Sequence, residues 1–195
     1  MKRLVDVVLS LIGLVFIAPI LAVLALWIRL DSEGPSFYCG LRAGRWGRPF
    51  QIFKLRTMVE NAERLGGAET ASDDPRITRL GRFLRQYKLD EFPQLINVLM
   101  GDMSLVGPRP EVLDEVACYT PEEQLVLEVR PGITDWASLK FHHEGEVLRG
   151  SKDPHRAYHE KIRPEKLRLQ LQYVQSHSVL TDVWIICRTF RAIFE

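Results

Sequence analysis

The sequence predicts a mainly α fold with one small β-hairpin, an α+β arrangement set behind an apolar N-terminal helix. Three observations carry this reading. Val7 to Ile28 contains no charged residue. The short aromatic runs Ser36-Phe37-Tyr38 and Phe50-Gln51-Ile52-Phe53 flank a glycine-containing loop. From Ile77 onward, apolar residues recur mostly at helical spacing. At 195 residues the chain fits one domain with an appended element: residues 1–30 as a membrane segment and residues 31–195 as the domain.

The apolar run is long enough for the roughly 20 residues that cross a bilayer as a helix. It is too long for the hydrophobic part of a signal peptide, and Asp6 stands at its head. Pro19 lies mid-run and should kink the helix. Lys2 and Arg3 precede the run and Arg29 follows it, so basic residues flank both ends. A spanning helix and a re-entrant one, broken at Pro19 and returning to the same face, both satisfy these facts. Ser10 could help satisfy carbonyls freed in the second case.

Asp31-Ser32-Glu33-Gly34-Pro35 is a turn signal, and the two aromatic runs beyond it predict the hairpin, with Gly44 to Pro49 as its loop. Met58 to Leu65 reads as a helix stopped by Gly66-Gly67, and Ala68 to Pro75 as a polar loop. Ile77 to Tyr87 is predicted helical, with Leu80, Phe83, Leu84 and Tyr87 opposing Arg79, Arg82 and Arg85. Asp90 to Met100 is a further helix, with Asp90 placed to cap it and Gly101 to stop it. Thr120-Pro121-Glu122-Glu123 is a capping box that opens another helix. Pro164 to Ser176 and Val179 to Phe194 complete the set. The last has an apolar stripe through Val179, Val183, Ile186, Phe190 and Ile193, widened by Trp184, Ile185 and Phe194. With Arg188 and Arg191 it could lie in a membrane interface or simply pack on the core.

Composition narrows the function classes. Lys and Arg number 26 against 25 Asp and Glu, so the chain is no basic nucleic-acid coat and no acidic tail protein. Three scattered cysteines without CxxC spacing fit neither a disulfide framework nor a structural zinc site. The signatures of P-loop NTPases, dinucleotide folds, serine hydrolases and zinc proteases are absent. His142-His143-Glu144 is a weak metal candidate, read foremost as surface.

The central region carries the chemistry. Lys54, Arg56, Arg85 and Arg109 belong to a locally basic stretch, and the adjacent carboxylates Asp90 and Glu91 sit within it. The dyad could simply cap a helix, and the cations could be a solvated or lipid-facing surface. Alternatively, two adjacent carboxylates among cations can hold Mg²⁺ against a diphosphate, and an aspartate can itself attack phosphorus. Pro108-Arg109-Pro110 fixes the backbone on either side of Arg109, and either X-Pro bond could be cis.

Longer motifs run along the chain. They include Lys2-Arg3-x-x-Asp6, Pro19, Leu30-Asp31-Ser32-x-Gly34-Pro35, and Phe53-Lys54-Leu55-Arg56-Thr57-Met58. Arg76-Ile77-Thr78, Gly81-Arg82-Phe83-Leu84-Arg85, Leu89-Asp90-Glu91-Phe92-Pro93-Gln94-Leu95 and Gly101 to Pro110 follow. Val129-Arg130-Pro131-Gly132-Ile133-Thr134 and Tyr173-Val174…Asp182 come last. In these stretches the chain resembles the bacterial sugar transferases that start glycan assembly on a polyprenol phosphate, the monotopic phosphoglycosyl transferases.

The resemblance implies a re-entrant N-terminal helix, interfacial amphipathic helices and a catalytic domain on the cytoplasmic face of the bacterial inner membrane. It implies Mg²⁺-dependent transfer of a phospho-sugar from a UDP-sugar to undecaprenyl phosphate, with UMP released. That is the first membrane step of exopolysaccharide, O-antigen or glycoprotein assembly. Asp90 would be the nucleophile, and Glu91 would assist through the metal or by orienting the reacting groups. Lys54, Arg85 and Arg109 would bind phosphates, Arg56 and Arg130 would belong to the same binding set, and Pro108-Arg109-Pro110 would border the uridine. Four positions depart from the family pattern: Ala18 where Ser is frequent, Asp135 and Ser138 where Gly and Gln are frequent, and Gln170 where Asp is frequent.

Overall fold

The computed structural model describes residues 1–67 and 69–193. Ala68, Phe194 and the side chain of Ile193, expected in the polar loop and on the C-terminal stripe, lie outside the described residues.

The apolar run forms one helix, α1 (Lys2–Asp31), which continues through Pro19 and does not end there. Its buried residues are Asp6, Ser10, Leu21, Leu24 and Ile28, a stripe at helical spacing that runs almost its full length. The rest of its surface is apolar and exposed, including Leu11, Val15, Phe16, Val23 and Leu30. A helix of 30 residues is about 45 Å long, and the protein supports it at both ends. At the first end Lys2 Nζ donates to Val106 O (3.0 Å) and Tyr173 Oη (3.3 Å) and pairs with Asp182. Arg3 donates to Val98 O and Leu99 O, while Asp6 accepts from Ser104 Oγ at 2.9 Å and Leu105 N at 3.2 Å. At the other end Leu21, Leu24 and Ile28 pack with Leu55, Leu80 and Leu84. Ser10 does not serve carbonyls near Pro19: its hydroxyl is buried without a hydrogen-bond partner.

The hairpin pairs β1 (Phe37–Ala43) with β2 (Pro49–Leu55) antiparallel, in register from Phe37↔Leu55 to Ala43↔Pro49. The helix expected over Met58 to Leu65 is only a 3-10 turn at Ala62–Arg64, because Met58 instead bridges to Ile77. Helix α2 (Arg79–Gln86) is capped by Thr78, whose side chain accepts from Gly81 N at 2.9 Å. A Cβ on Gly81 would lie 2.0 Å from Thr57 O, so only glycine lets α2 approach this segment.

The helix expected from Asp90 begins later. Leu89–Glu91 is a 3-10 turn, and α3 (Gln94–Met100) starts after Pro93 and stops at Gly101, whose φ is +98°. Buried Asn97 joins α3 to β2, accepting from Phe53 N at 2.9 Å and donating to Gln51 O at 2.7 Å. Beyond it, β3 (Ser104–Val106) pairs in parallel with β4 (Gly132–Thr134), a pairing without a sequence signal of its own. Gly107 and Gly132 pass too closely for any Cβ, which would sit 2.4 Å from Arg130 O or 2.1 Å from Gly107 N.

Between these strands, α4 (Leu113–Ala117) precedes α5 (Pro121–Gln124), which carries the expected capping box. After β4 come α6 (Trp136–Lys140), α7 (Glu144–Val147), α8 (Pro154–Lys161), α9 (Arg163–Ser176) and α10 (Val179–Ile193). Ile185 of α10 is fully buried, while Leu180, Val183, Trp184 and Phe190 are exposed. The chain is thus mostly helical with small sheets and an apolar N-terminal helix laid along the body.

Candidate active site

The dyad sits on a strained turn. Lys88 ends α2 in the left-handed region at φ 54°, which costs a non-glycine residue about 1–2 kcal/mol. The chain then folds directly into the 3-10 turn that carries Asp90 and Glu91, both buried. No capping bond uses Asp90, whose Oδ1 is buried with no hydrogen-bond partner. The capping role open in the sequence is therefore not the one the side chain performs.

Glu91 is fully engaged by contrast. Its Oε1 accepts from Lys54 Nζ at 3.1 Å and from one Arg109 nitrogen, and its Oε2 accepts from the other at 3.0 Å. Arg109 thus forms a two-pronged contact, reached from the loop after β3, while Lys54 comes from β2. Arg85, from α2, donates through Nε to Thr57 Oγ1 at 2.8 Å. Both peptide bonds to Pro108 and Pro110 are trans.

The two carboxyls titrate apart. Burial, reinforced by the Glu91 charge, raises Asp90 above the usual carboxyl range, against the pull of Lys54 and Arg85. Burial would raise Glu91 as well, but Arg109 and Lys54 outweigh it and hold Glu91 well below its ordinary value. Burial lowers the Lys54 ammonium and the Arg85 guanidinium, whereas Glu91 raises Arg109. One carboxyl is a fixed anion locked between two cations; its neighbour is a more basic oxygen with a free lone pair.

These groups face a cleft of about 2190 Å³. Lys54, Arg85, Asp90, Glu91, Arg109 and Pro110 line it on the polar side. Leu9, Ile12 and Phe16 of α1 line it on the other, so the cleft grades from charged floor to apolar helix. His142 also borders it, and burial lowers its imidazole pKa.

Three sequence candidates make other contacts, although Arg56 also borders the cleft. Arg56 is buried and spends its guanidinium on the end of α1, donating to Ser32 O at 2.7 Å, Ile28 O at 3.4 Å and Glu33 O. It clamps the helix that Lys54, two positions earlier, leaves alone. Arg130 donates to Gly101 O at 2.9 Å beside Arg3 and Asp6, outside the cleft. Pro108 contributes its carbonyl to Gly132 N at 2.9 Å, and its ring is not among the cleft walls. The departures at Asp135 and Gln170 meet each other: Gln170 Nε2 donates to Asp135 Oδ2 at 3.3 Å, both residues being buried. Sequence reasoning missed the Lys88 turn, for which a lysine gives no signal.

The donor set fits a hard divalent cation. Asp90 Oδ1 is unpartnered, and Glu91 Oε2 keeps one lone pair after its bond to Arg109. Mg²⁺ characteristically takes one or two carboxylates and completes its shell with phosphate oxygens and water. The surrounding cations disfavour a bare dication, so the ion would arrive with a diphosphate.

The comparisons agree over the full length. The family model described as bacterial sugar transferase matches residues 1–195. A UDP-glucose:undecaprenyl-phosphate glucose-1-phosphate transferase of Caulobacter vibrioides is 38% identical over 191 residues, covering 96% of this chain and 67% of that protein. An Escherichia coli protein of the same name is 36% identical over 97% of this chain but 39% of its own length. The exopolysaccharide production protein PSS of Rhizobium leguminosarum is 38% identical over 97% of this chain and 92% of its own length. The chain thus spans roughly two-thirds or less of the longer relatives and nearly all of a shorter one. With the family model matched from end to end, the chain belongs to the bacterial sugar transferase family.

Proposed function

We propose that the protein transfers a phospho-sugar from a UDP-sugar to undecaprenyl phosphate through a covalent intermediate on Asp90. The observation that carries this is the buried, unpartnered Asp90 Oδ1 beside a Glu91 already neutralised by Lys54 and Arg109. An oxygen desolvated and raised in basicity, on a turn that fixes its position, is suited to attack phosphorus. In the first half-reaction Asp90 forms a bond to the phosphorus that bears the sugar. The bond from that phosphorus to the bridging oxygen breaks, and UMP leaves with the electron pair. In the second, a phosphate oxygen of undecaprenyl phosphate attacks the same phosphorus and Asp90 departs as carboxylate.

Lys54, Arg85 and Arg109 surround the place where charge accumulates as the diphosphate is cleaved and UMP leaves. Glu91 holds Lys54 and Arg109 in position and keeps their charge from collapsing onto Asp90. Mg²⁺, held by Asp90 and Glu91, would supply charge neutralisation to the diphosphate. The lipid acceptor reaches this floor along the apolar side of the cleft, where α1 exposes Ile12 and Phe16.

The same reading extends to the membrane. Lys2, Arg3 and Asp6 at one end of α1, and Ile28 and Ser32 at the other, bind one protein body. A helix crossing a bilayer would carry its ends to opposite faces. The supported stripe favours a helix that enters one leaflet with both ends on the cytoplasmic face, its apolar remainder in lipid. The exposed Leu180, Trp184 and Phe190 of α10 would lie in the same interface.

The decisive experiment omits the acceptor. Full-length protein with a panel of UDP-sugars and Mg²⁺ should release UMP once and gain the mass of one phospho-sugar on Asp90. Added undecaprenyl phosphate should discharge it. Near-normal turnover by folded Asp90→Asn would reject the nucleophile, and steady release of free sugar phosphate without acceptor would point to hydrolysis instead.

A further inference from the structure

Apart from the dyad's own contacts, four metal-ligating side chains converge from three separate segments. Glu69 comes from the loop before α2, Glu115 from α4, and His155 and His159 from one face of α8 at i,i+4 spacing. One ligand atom from each lies within 4.8 Å of all the others. His155 Nδ1 is 3.1 Å from Glu69 Oε2, and His159 Nε2 is 2.9 Å from Glu115 Oε1. We propose that Glu69, Glu115, His155 and His159 form a binding site for a divalent transition-metal ion of the zinc type.

The chemistry of the set supports a zinc-type ion. Two imidazole nitrogens and two carboxylate oxygens make a four-ligand borderline site, whereas magnesium and calcium take oxygen alone. A tetrahedral ion with bonds of about 2.0–2.2 Å spaces its ligand atoms about 3.4 Å apart. Two of the pairs already stand near that spacing, so small side-chain rotations close the rest.

Charge points the same way. The side chains of Glu69 and Glu115 are only 10% and 12% exposed, and they bring two carboxylates close together. Arg163 Nε approaches Glu115 Oε2 at 3.5 Å, which leaves Oε1 to face the cluster. A single dication between the two carboxylates would answer both while taking the two imidazoles as neutral ligands. The rings of His155 and His159 lie 4.4 Å apart, an awkward separation for two cations and a natural one for two ligands of one ion.

The location gives the ion a task. Glu69 and Glu115 both line the cleft, as does Tyr158 of α8. Ala71, two residues beyond Glu69, packs with Leu148, Ala157 and Tyr158. A bound ion would pin the loop before α2 to α8 and α4 and so fix one rim of the cleft.

The test uses tag-free, full-length protein in detergent, stripped with chelator. Zn²⁺ titration by calorimetry, with Co²⁺ as the spectroscopic probe, reads both stoichiometry and geometry. The expected result is one ion per chain, intense visible Co²⁺ bands of tetrahedral type, and a raised melting temperature with Zn²⁺ but not with Mg²⁺. Replacing His155, which is largely exposed, by Gln should weaken Zn²⁺ binding at least about tenfold without unfolding the chain. Glu69→Gln should do the same. Absence of Zn²⁺ binding, octahedral Co²⁺ spectra, or unchanged affinity in both variants would overturn the site. Because Asp90→Asn leaves these ligands intact, Zn²⁺ binding by that variant is independent of the transfer reaction.

Discussion

Removing the Arg109 guanidinium while keeping its apolar stem tests the site's electrostatic design most directly. In Arg109→Met, Glu91 loses both prongs of its contact and retains Lys54 at 3.1 Å. Removing one partner of a fully buried pair costs about 3–5 kcal/mol. Arg109 is 29% exposed and Lys54 remains, so the cost here should be about 2 kcal/mol. For a chain of this size that is a fall of about 4–8 °C in melting temperature. Tryptophan fluorescence during thermal unfolding in detergent measures it, with Glu91→Gln and the double variant completing a thermodynamic cycle. The pH dependence adds a second check. Glu91 is held below its unfolded value of about 4.3, so its contribution is present above that pH and is lost as pH falls through the folded value. The gap between wild type and Arg109→Met should therefore narrow in acid. A coupling energy under about 0.5 kcal/mol, or a gap that widens below pH 4, would refute the proposed clamp.

Asp90 should behave in the opposite sense. Its folded pKa is raised, so folding loses stability as pH rises through that region, and Asp90→Asn should melt higher than wild type at neutral pH while losing turnover. A lower melting temperature would show that the carboxylate is not penalised. Gly81→Ala forces a Cβ to within 2.0 Å of Thr57 O and should cost about 1–3 kcal/mol, with chemical denaturation as the readout. Asp6→Ala strands the Ser104 hydroxyl and Leu105 amide; it should cost about 1–3 kcal/mol and speed proteolysis near the N-terminus.

The parts of this molecule governed by local pattern were legible in its sequence. The uncharged run, the aromatic pair flanking Gly44 to Pro49, and Thr120 three residues before Glu123 each bear their structure within a few positions. What was hidden depends on contacts made far along the chain. Met58 to Leu65 has helical periodicity, yet Met58 bridges to Ile77. The turn at Leu89 replaces a helix start because Lys88 before it adopts a left-handed backbone. The dyad itself was visible as two adjacent carboxylates among cations. That both Glu91 oxygens are paired with cations while Asp90 keeps a bare oxygen needed Lys54 and Arg109 in three dimensions. Arg56 resembled Lys54 in a basic motif, but it stands one residue past the end of β2, where its guanidinium turns to the carbonyls that end α1.

The stripe on α1 also sets a schedule for biosynthesis. Lys2 pairs with Asp182, 180 residues later, and Asp6 takes its hydrogen bonds from Ser104 and Leu105. Translation at about 5–20 residues per second separates the first pair by roughly 9–36 s. Throughout that interval the apolar segment exists without the groups that complete its polar end. It must wait at a lipid surface or in the keeping of a chaperone, and its final seat is decided by residues made some 180 positions later.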